Sequence, residues 1–325
     1  MLPLTPATAS YYFSALKSRT YHDPLSRNSS LSIRDLAWSP PGNRIACAGT
    51  DKLIRVWNPE KPDIRNSTEL KGHTQPAVAV AWNPNHSDLL VSCSPDHTLR
   101  TWDYRTKTAK ASVNTGGENV ALAYHPDGNT VAVAARDEKV YFVDLRMNAV
   151  AAAHKLPAVV HGLCFSHRGE TLLLSCATGQ VLLYDFPSLK GRYSVEAHAS
   201  AALCLELDPR GVHLAVGGSD AVVGIWDTEE WVCLRTLRGM DAPVKRVSFS
   251  FDGQYICAAS DEQGSHDIEI VSCFPGSWGD WANRCGSRMW ILGSMFTRFR
   301  RTIRSRMSSG IRHGMRWRTL GTPQG

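Results

Sequence analysis

Three groups of residues have types and spacings that suggest chemistry. His161, Cys164 and His167 fall close together, and imidazole beside thiol is the pairing of a cysteine nucleophile or a metal site. His73 with Asp96, and His198 with Asp220, look like imidazole–carboxylate pairs, the parts of a general base. Arg298, Arg300, Arg301, Arg304 and Arg306 crowd one short segment. Guanidinium forks there suit phosphate, and Trp290, Phe299 and Trp317 offer rings for stacking on bases. The first group fails on geometry: an i, i+3, i+6 spacing along an extended strand and its turn does not converge three ligands on one point. No glycine-rich loop follows a strand, so no phosphate cradle is expected.

The imidazole–carboxylate pairs need their frame, which is a repeat. Its first mark is an aromatic or large apolar residue followed by a short polar turn. Trp38, Trp82, Tyr124, Phe165, Leu207 and Phe249 begin it, at spacings of 44, 42, 41, 42 and 42 residues. A second mark keeps the same beat: a turn aspartate, then a large apolar residue six positions on, as in Asp51–Trp57, Asp96–Trp102, Asp137–Val143 and Asp220–Trp226. Trp102-Asp103 and Trp226-Asp227 give the Trp-Asp pair itself, and Gly72-His73 precedes its unit, with Ala197-His198 a degenerate version. This period and these marks resemble the blades of a WD40 β-propeller. Each unit reads as a set of short strands; in the second there are four, Val78–Trp82, Leu89–Cys93, Leu99–Trp102 and Ala109–Val113. One blade cannot bury both its faces, and stacking blades does.

In that frame the polar marks are structural. His73 is expected to bond Asp96, with the network continuing through a strand hydroxyl, Ser92, to the indole N–H of Trp102. His198, Asp220 and Trp226 are expected to do the same in the fifth unit, without an evident hydroxyl. No catalytic group, metal or cofactor is expected.

Nine cysteines occur without a Cys-x-x-Cys pair. Cys47, Cys93, Cys176 and Cys257 lie in short apolar stretches, which reads as packing and a reducing compartment. No window approaches 18 uninterrupted apolar residues, so no membrane span is expected, and the start lacks the pattern of a secretory leader. The net charge of +6 is uneven. Residues 272–325 hold ten arginines, no lysine and one acid, or +9, which leaves −3 for the rest.

Six units run over residues 30–271. The sixth shows strands at Val244–Phe249, Tyr255–Ala259 and Asp267–Val271, and no plausible fourth. Two readings of residues 272–325 compete. One is an RNA-binding or nuclear-import segment. The other, which the Arg- and Trp-rich composition and the break inside a strand-rich unit favour, is a non-native reading frame.

Particular stretches carry a closer likeness. Val113–Val120 with Tyr124–Val133, Ser219–Asp227 with Trp231–Arg235, and Pro243–Gly253 resemble the THO complex subunit 3 family of WD-repeat proteins over about residues 13–271. The resemblance implies a seven-bladed ring closed by an N-terminal strand, here residues 13–21 within an extension of residues 1–29. It implies a last blade that is missing or out of frame in this chain. It further implies a nuclear, non-catalytic scaffold in the transcription–export (TREX) assembly, with other THO proteins as partners, RNA met indirectly, and no small-molecule substrate. The alternative is a WD40 adaptor of another complex, a ubiquitin-ligase substrate receptor or a histone binder, because fold does not fix function.

On the RNA-binding reading of the tail, affinity falls steeply as salt rises in a filter-binding titration, and deleting residues 272–325 abolishes it. Salt-independent binding, or none, sinks that reading.

Overall fold

The computed structural model describes residues 32–59, 67–250, 252–260 and 268–272. All regular structure among them is β. The expected closing strand at 13–21 and the arginine-rich segment 272–325 lie outside the described residues, apart from Ser272.

The strands form antiparallel sheets in chain order. The first sheet holds β1 (Ile33–Trp38), β2 (Ile45–Gly49), β3 (Leu53–Trp57) and β4 (Thr68–Lys71). The second holds β5 (Ala79–Trp82), β6 (Leu89–Cys93), β7 (Thr98–Asp103) and β8 (Thr108–Asn114). The third is β9 (Asn119–Tyr124), β10 (Thr130–Ala135), β11 (Lys139–Asp144) and β12 (Ala149–Lys155). The fourth is β13 (Val160–Phe165), β14 (Thr171–Cys176), β15 (Gln180–Asp185) and β16 (Lys190–Glu196). The fifth is β17 (Ala202–Leu207), β18 (His213–Gly218), β19 (Val223–Asp227) and β20 (Cys233–Leu237). The sixth pairs only β21 (Val244–Phe249), β22 (Tyr255–Ser260) and β23 (Ile268–Ser272) among the described residues. The expected strands of the second unit are met to within a residue or two at each end. This is the all-β architecture of propeller blades.

Two compact units divide the chain, one running to Leu205 and the other beginning at Glu206. Within the first, successive sheets pack face to face. The second sheet turns Val80, Trp82, Leu90 and Trp102 toward Ala46, Ile54, Val56 and Leu70 of the first sheet. It turns Ala79, Val91, Cys93 and Leu99 toward Val131, Val133 and Val143 of the third. Alternate residues point to opposite faces of a strand, so one sheet serves two interfaces. The third and fourth sheets join in the same way through Phe142, Val160, Phe165, Leu172 and Leu174.

Burial follows strand position. The second strands β2, β6, β10 and β14 are almost wholly buried, whereas β8, β12 and β16 are almost wholly exposed. Cys47, Cys93, Cys176 and Cys257 all lie on second strands, buried and as free thiols.

The repeated turns also clamp sheet to sheet. Asn83, one residue past Trp82, donates through Nδ2 to the carbonyl of Gly128 in the next turn at 2.7 Å. His125, one past Tyr124, meets the carbonyl of Gly169 at 3.1 Å. Gly128 and Gly169 hold φ of +72° and +77°, the left-handed region that favours glycine. A Cβ on Gly169 would lie 2.2 Å from His125 Nε2. The turn glycine is therefore required by backbone conformation and by the neighbouring side chain together.

In the compact unit that begins at Glu206, this residue of β17 performs a similar task with a carboxylate. Its Oε1 accepts from the Phe249 N–H and from the Ser248 hydroxyl, each at 3.2 Å. Burial pushes its pKa up to about 7, opposed by those two bonds and by Arg246.

Leu174 is fully buried between the third and fourth sheets. Leu174→Ala is expected to cost about 2–5 kcal/mol in urea unfolding; a loss under about 1 kcal/mol would contradict the packing described.

Candidate functional site

The expected polar chain is assembled in the second sheet. His73 precedes β5, Ser92 lies on buried β6, Asp96 occupies the β6–β7 turn, and Trp102 lies on β7. The Trp102 indole N–H donates to Ser92 Oγ at 2.8 Å. Ser92 Oγ lies 2.8 Å from His73 Nε2, and His73 Nδ1 lies 2.9 Å from Asp96 Oδ2.

Donor counting fixes the proton positions. Asp96 accepts, so Nδ1 carries the proton and Nε2 must accept from the Ser92 hydroxyl. That hydroxyl then accepts from Trp102, and every member is satisfied with a neutral imidazole. A protonated His73 would place a second N–H against Ser92 and leave the hydroxyl hydrogen without its acceptor. Burial accordingly lowers the His73 pKa, outweighing the opposite pull of Asp96. The Asp96 pKa is lowered to about 2; its desolvation is overcome by bonds from Thr98, His73 and the Thr74 N–H. Thr98 Oγ1 donates to Asp96 Oδ1 at 2.6 Å and Thr74 N to Oδ2 at 3.0 Å. These two partners escaped the sequence reading, although a threonine two residues past a turn aspartate is a recognisable side-chain-capped turn.

Gly72 has a packing reason to precede His73. A Cβ there would come 2.7 Å from Arg100 Nη1 and 3.0 Å from Trp102 Cη2. The Gly-His pair thus marks a backbone held against the tryptophan that its histidine anchors.

Strand register explains why the chain is complete here. Trp102 pairs with Leu90, so the hydroxyl position is two residues beyond its partner. The same count gives Cys47 in the first sheet, Val133 in the third, Leu174 in the fourth and Val216 in the fifth. In the first sheet, the Cys47 thiol meets Trp57, and burial pushes that thiol up to about 12.

The fifth unit departs from expectation at its tryptophan end. Val216 has no hydroxyl to offer, and the buried indole nitrogen of Trp226 finds no hydrogen-bond partner among the described residues. Gly224 lies against that ring; a Cβ there would be 2.7 Å from Trp226 Nε1. Asp220 caps its own turn, its Oδ1 accepting from the Val222 N–H at 3.2 Å. His198 is buried in the compact unit that runs to Leu205, where its backbone N–H donates to the Gly179 carbonyl at 3.0 Å.

His161 and Cys164 lie along β13 and His167 in the turn that follows. A strand rise of about 3.3 Å per residue separates the first two by roughly 10 Å. Among the described residues no group of three His, Cys, Asp or Glu side chains is placed to hold a metal ion. Burial pushes the Cys176 and Cys257 thiols up to about 11 and about 12, away from the thiolate that a nucleophile needs. The arginines at 298, 300, 301, 304 and 306 lie outside the described residues. No helix among the described residues is long and apolar enough to cross a membrane.

A family model for the WD domain, G-beta repeat, matches residues 20–58, 65–103, 190–227 and 231–263. The chain is 33% identical over 252 residues to THO complex subunit 3 of Arabidopsis thaliana, covering 77% of this chain and 78% of that protein. It is 28% identical over 269 residues to the WD repeat-containing protein AAC3 of Dictyostelium discoideum, covering 75% of this chain and 55% of that one. To the human serine-threonine kinase receptor-associated protein it is 22% identical over 196 residues, covering 60% of this chain and 55% of that one.

Ser92→Ala leaves the Trp102 N–H and His73 Nε2 without their shared partner, and is expected to cost about 1–3 kcal/mol in urea unfolding. His73 has a lower pKa folded than unfolded, so the unfolded chain binds the extra proton. Stability is then lost as pH falls below about 6.5, and Asp96 adds a further loss below its ordinary carboxylate range. The wild-type stability slope between pH 7 and 5 should exceed that of His73→Gln; equal slopes would remove the neutral-imidazole chain from the account.

Proposed function

We propose, because the chain belongs to the THO complex subunit 3 family of WD-repeat proteins, that it is a non-catalytic scaffold subunit of a nuclear THO-type complex. In this role it contributes to mRNP assembly and mRNA export through protein–protein contacts, and meets RNA through its partners. The observation that carries this reading is 33% identity sustained over 252 residues and more than three quarters of both chains. Generic propeller marks alone would not distinguish this family from other WD proteins.

The chemistry of the described residues supports a scaffold. The imidazole and carboxylate that resemble a general-base pair are enclosed in a closed hydrogen-bond chain. Their hydroxyl neighbour, Ser92, is fully buried and bonded on both sides. Such a group holds a loop to a strand and offers no lone pair to a substrate. The surface left for partners is made of turns and outer strands, the usual carriers of binding on a rigid frame.

The test is purification of the tagged protein from nuclei of its source cells, with partners identified by mass spectrometry. Other THO subunits are expected in near-equal amounts, retained after nuclease treatment. Recovery with a ubiquitin ligase or a chromatin complex, and no THO subunit, would replace this reading with that of an adaptor in another assembly.

A further inference from the structure

The geometry points to the outer edge of the third sheet, β12, as a docking site for an extended segment of a partner protein. The segment adds as a fifth strand. It is uncharged along its middle and acidic where it meets Lys155. The inference assumes, with the scaffold reading, that the partner is a protein.

Strand β12 ends the strand order of its sheet, so one side of its backbone faces away from β11. Outward N–H and C=O groups on such a strand are a template for another chain, and proteins usually guard them with charge. Four other outer strands carry a charge within the strand, Glu69 in β4, Lys110 in β8, Arg192 in β16 and Arg235 in β20, whereas the formal charge of β12 is confined to Lys155 at its end. Strand β12 reads Ala-Val-Ala-Ala-Ala-His-Lys, with no formal charge between Arg146 and Lys155. All of it but His154 is exposed, and Met147 just before it is 76% exposed. Small side chains let an added backbone approach closely over most of the strand.

The charge at one end selects the occupant. Lys155 stands directly across from Lys139 in the β11–β12 register, and like charges placed opposite each other repel. Lys139 is balanced by Asp137 at 3.3 Å, whereas Lys155 makes no ion pair among the described residues. An acidic residue on an incoming strand would remove that imbalance. A second copy of β12 would not, since antiparallel self-pairing sets Lys155 beside Ala149. Strand addition by a peptide, in which main-chain bonds supply affinity, fits this edge.

The probe is a ten-residue peptide with two aspartates followed by alternating threonine and valine, bound to the full-length protein. Its affinity is read by fluorescence anisotropy and its location by amide hydrogen exchange. Binding should slow exchange within 149–155 without a comparable change in β8 or β16. N-methylation of alternate peptide residues along one edge should abolish binding, and replacing the aspartates by lysines should weaken it about two- to fivefold. Lys155→Glu, at an exposed position that leaves the fold intact, should invert that charge preference. Three results would each overturn the proposal: no binding, binding without protection at 149–155, or binding indifferent to N-methylation. Concentration-dependent protection of β12 without peptide would overturn it too, in favour of a second copy as occupant. None of these outcomes bears on co-purification with THO subunits, so the two readings fail separately.

Discussion

A small antiparallel sheet that is apolar on both faces cannot exist by itself in water. Strands β6 and β10 are buried along nearly their whole length, and what covers them is the sheet before and the sheet after. At about 25 cal/mol per Å² of apolar surface removed from water, this shared burial is the dominant favourable term. It also makes each sheet depend on its neighbours. The period near 42 residues follows, because each unit must present two complementary faces at the same depth.

Burial on both faces creates a second requirement. Polar atoms carried inward must be paired there, since an unpaired one costs on the order of 1–3 kcal/mol. The second sheet meets this with a complete chain from Trp102 through Ser92 and His73 to Asp96. Other sheets meet it by substitution at the same register position. Cys47 places a thiol against Trp57, and Val133 and Leu174 accompany Val143 and Tyr184, neither of which has an indole N–H to satisfy. The fifth sheet keeps the tryptophan and loses the hydroxyl, and its indole nitrogen is left without a hydrogen bond among the described residues. The inter-sheet clamps at Asn83, His125 and Glu206 solve the related problem of holding turns and strand ends in place.

Much of this was legible in the residues because the repeat is a physical period. The turn aromatics and the strand alternation could be read from spacing alone. The fifth unit, which shows no evident hydroxyl in its sequence and carries Val216 at that register position, marks where reading by spacing stops. The Gly-His and Trp-Asp marks identify the ends of the polar chain, but its middle member is set by cross-strand register, which the marks do not encode. The partners Thr98 and Thr74, and the reach of Asn83 to Gly128, depend on how turns face one another across sheets. The edge chemistry of β12 was invisible for a different reason. An apolar run such as Ala149–Ala153 reads as buried, and only the strand order places it on the outside.

The direct test of this account is native-state hydrogen exchange on the intact chain, resolved strand by strand. Shared burial predicts that amides of β6, β10 and β14 exchange together, with the free energy of global unfolding, while the free edges of β12 and β16 exchange far faster. If each sheet exchanged independently, with its own opening energy and no gradient from inner to outer strand, mutual burial of the sheets would not be what holds this protein together.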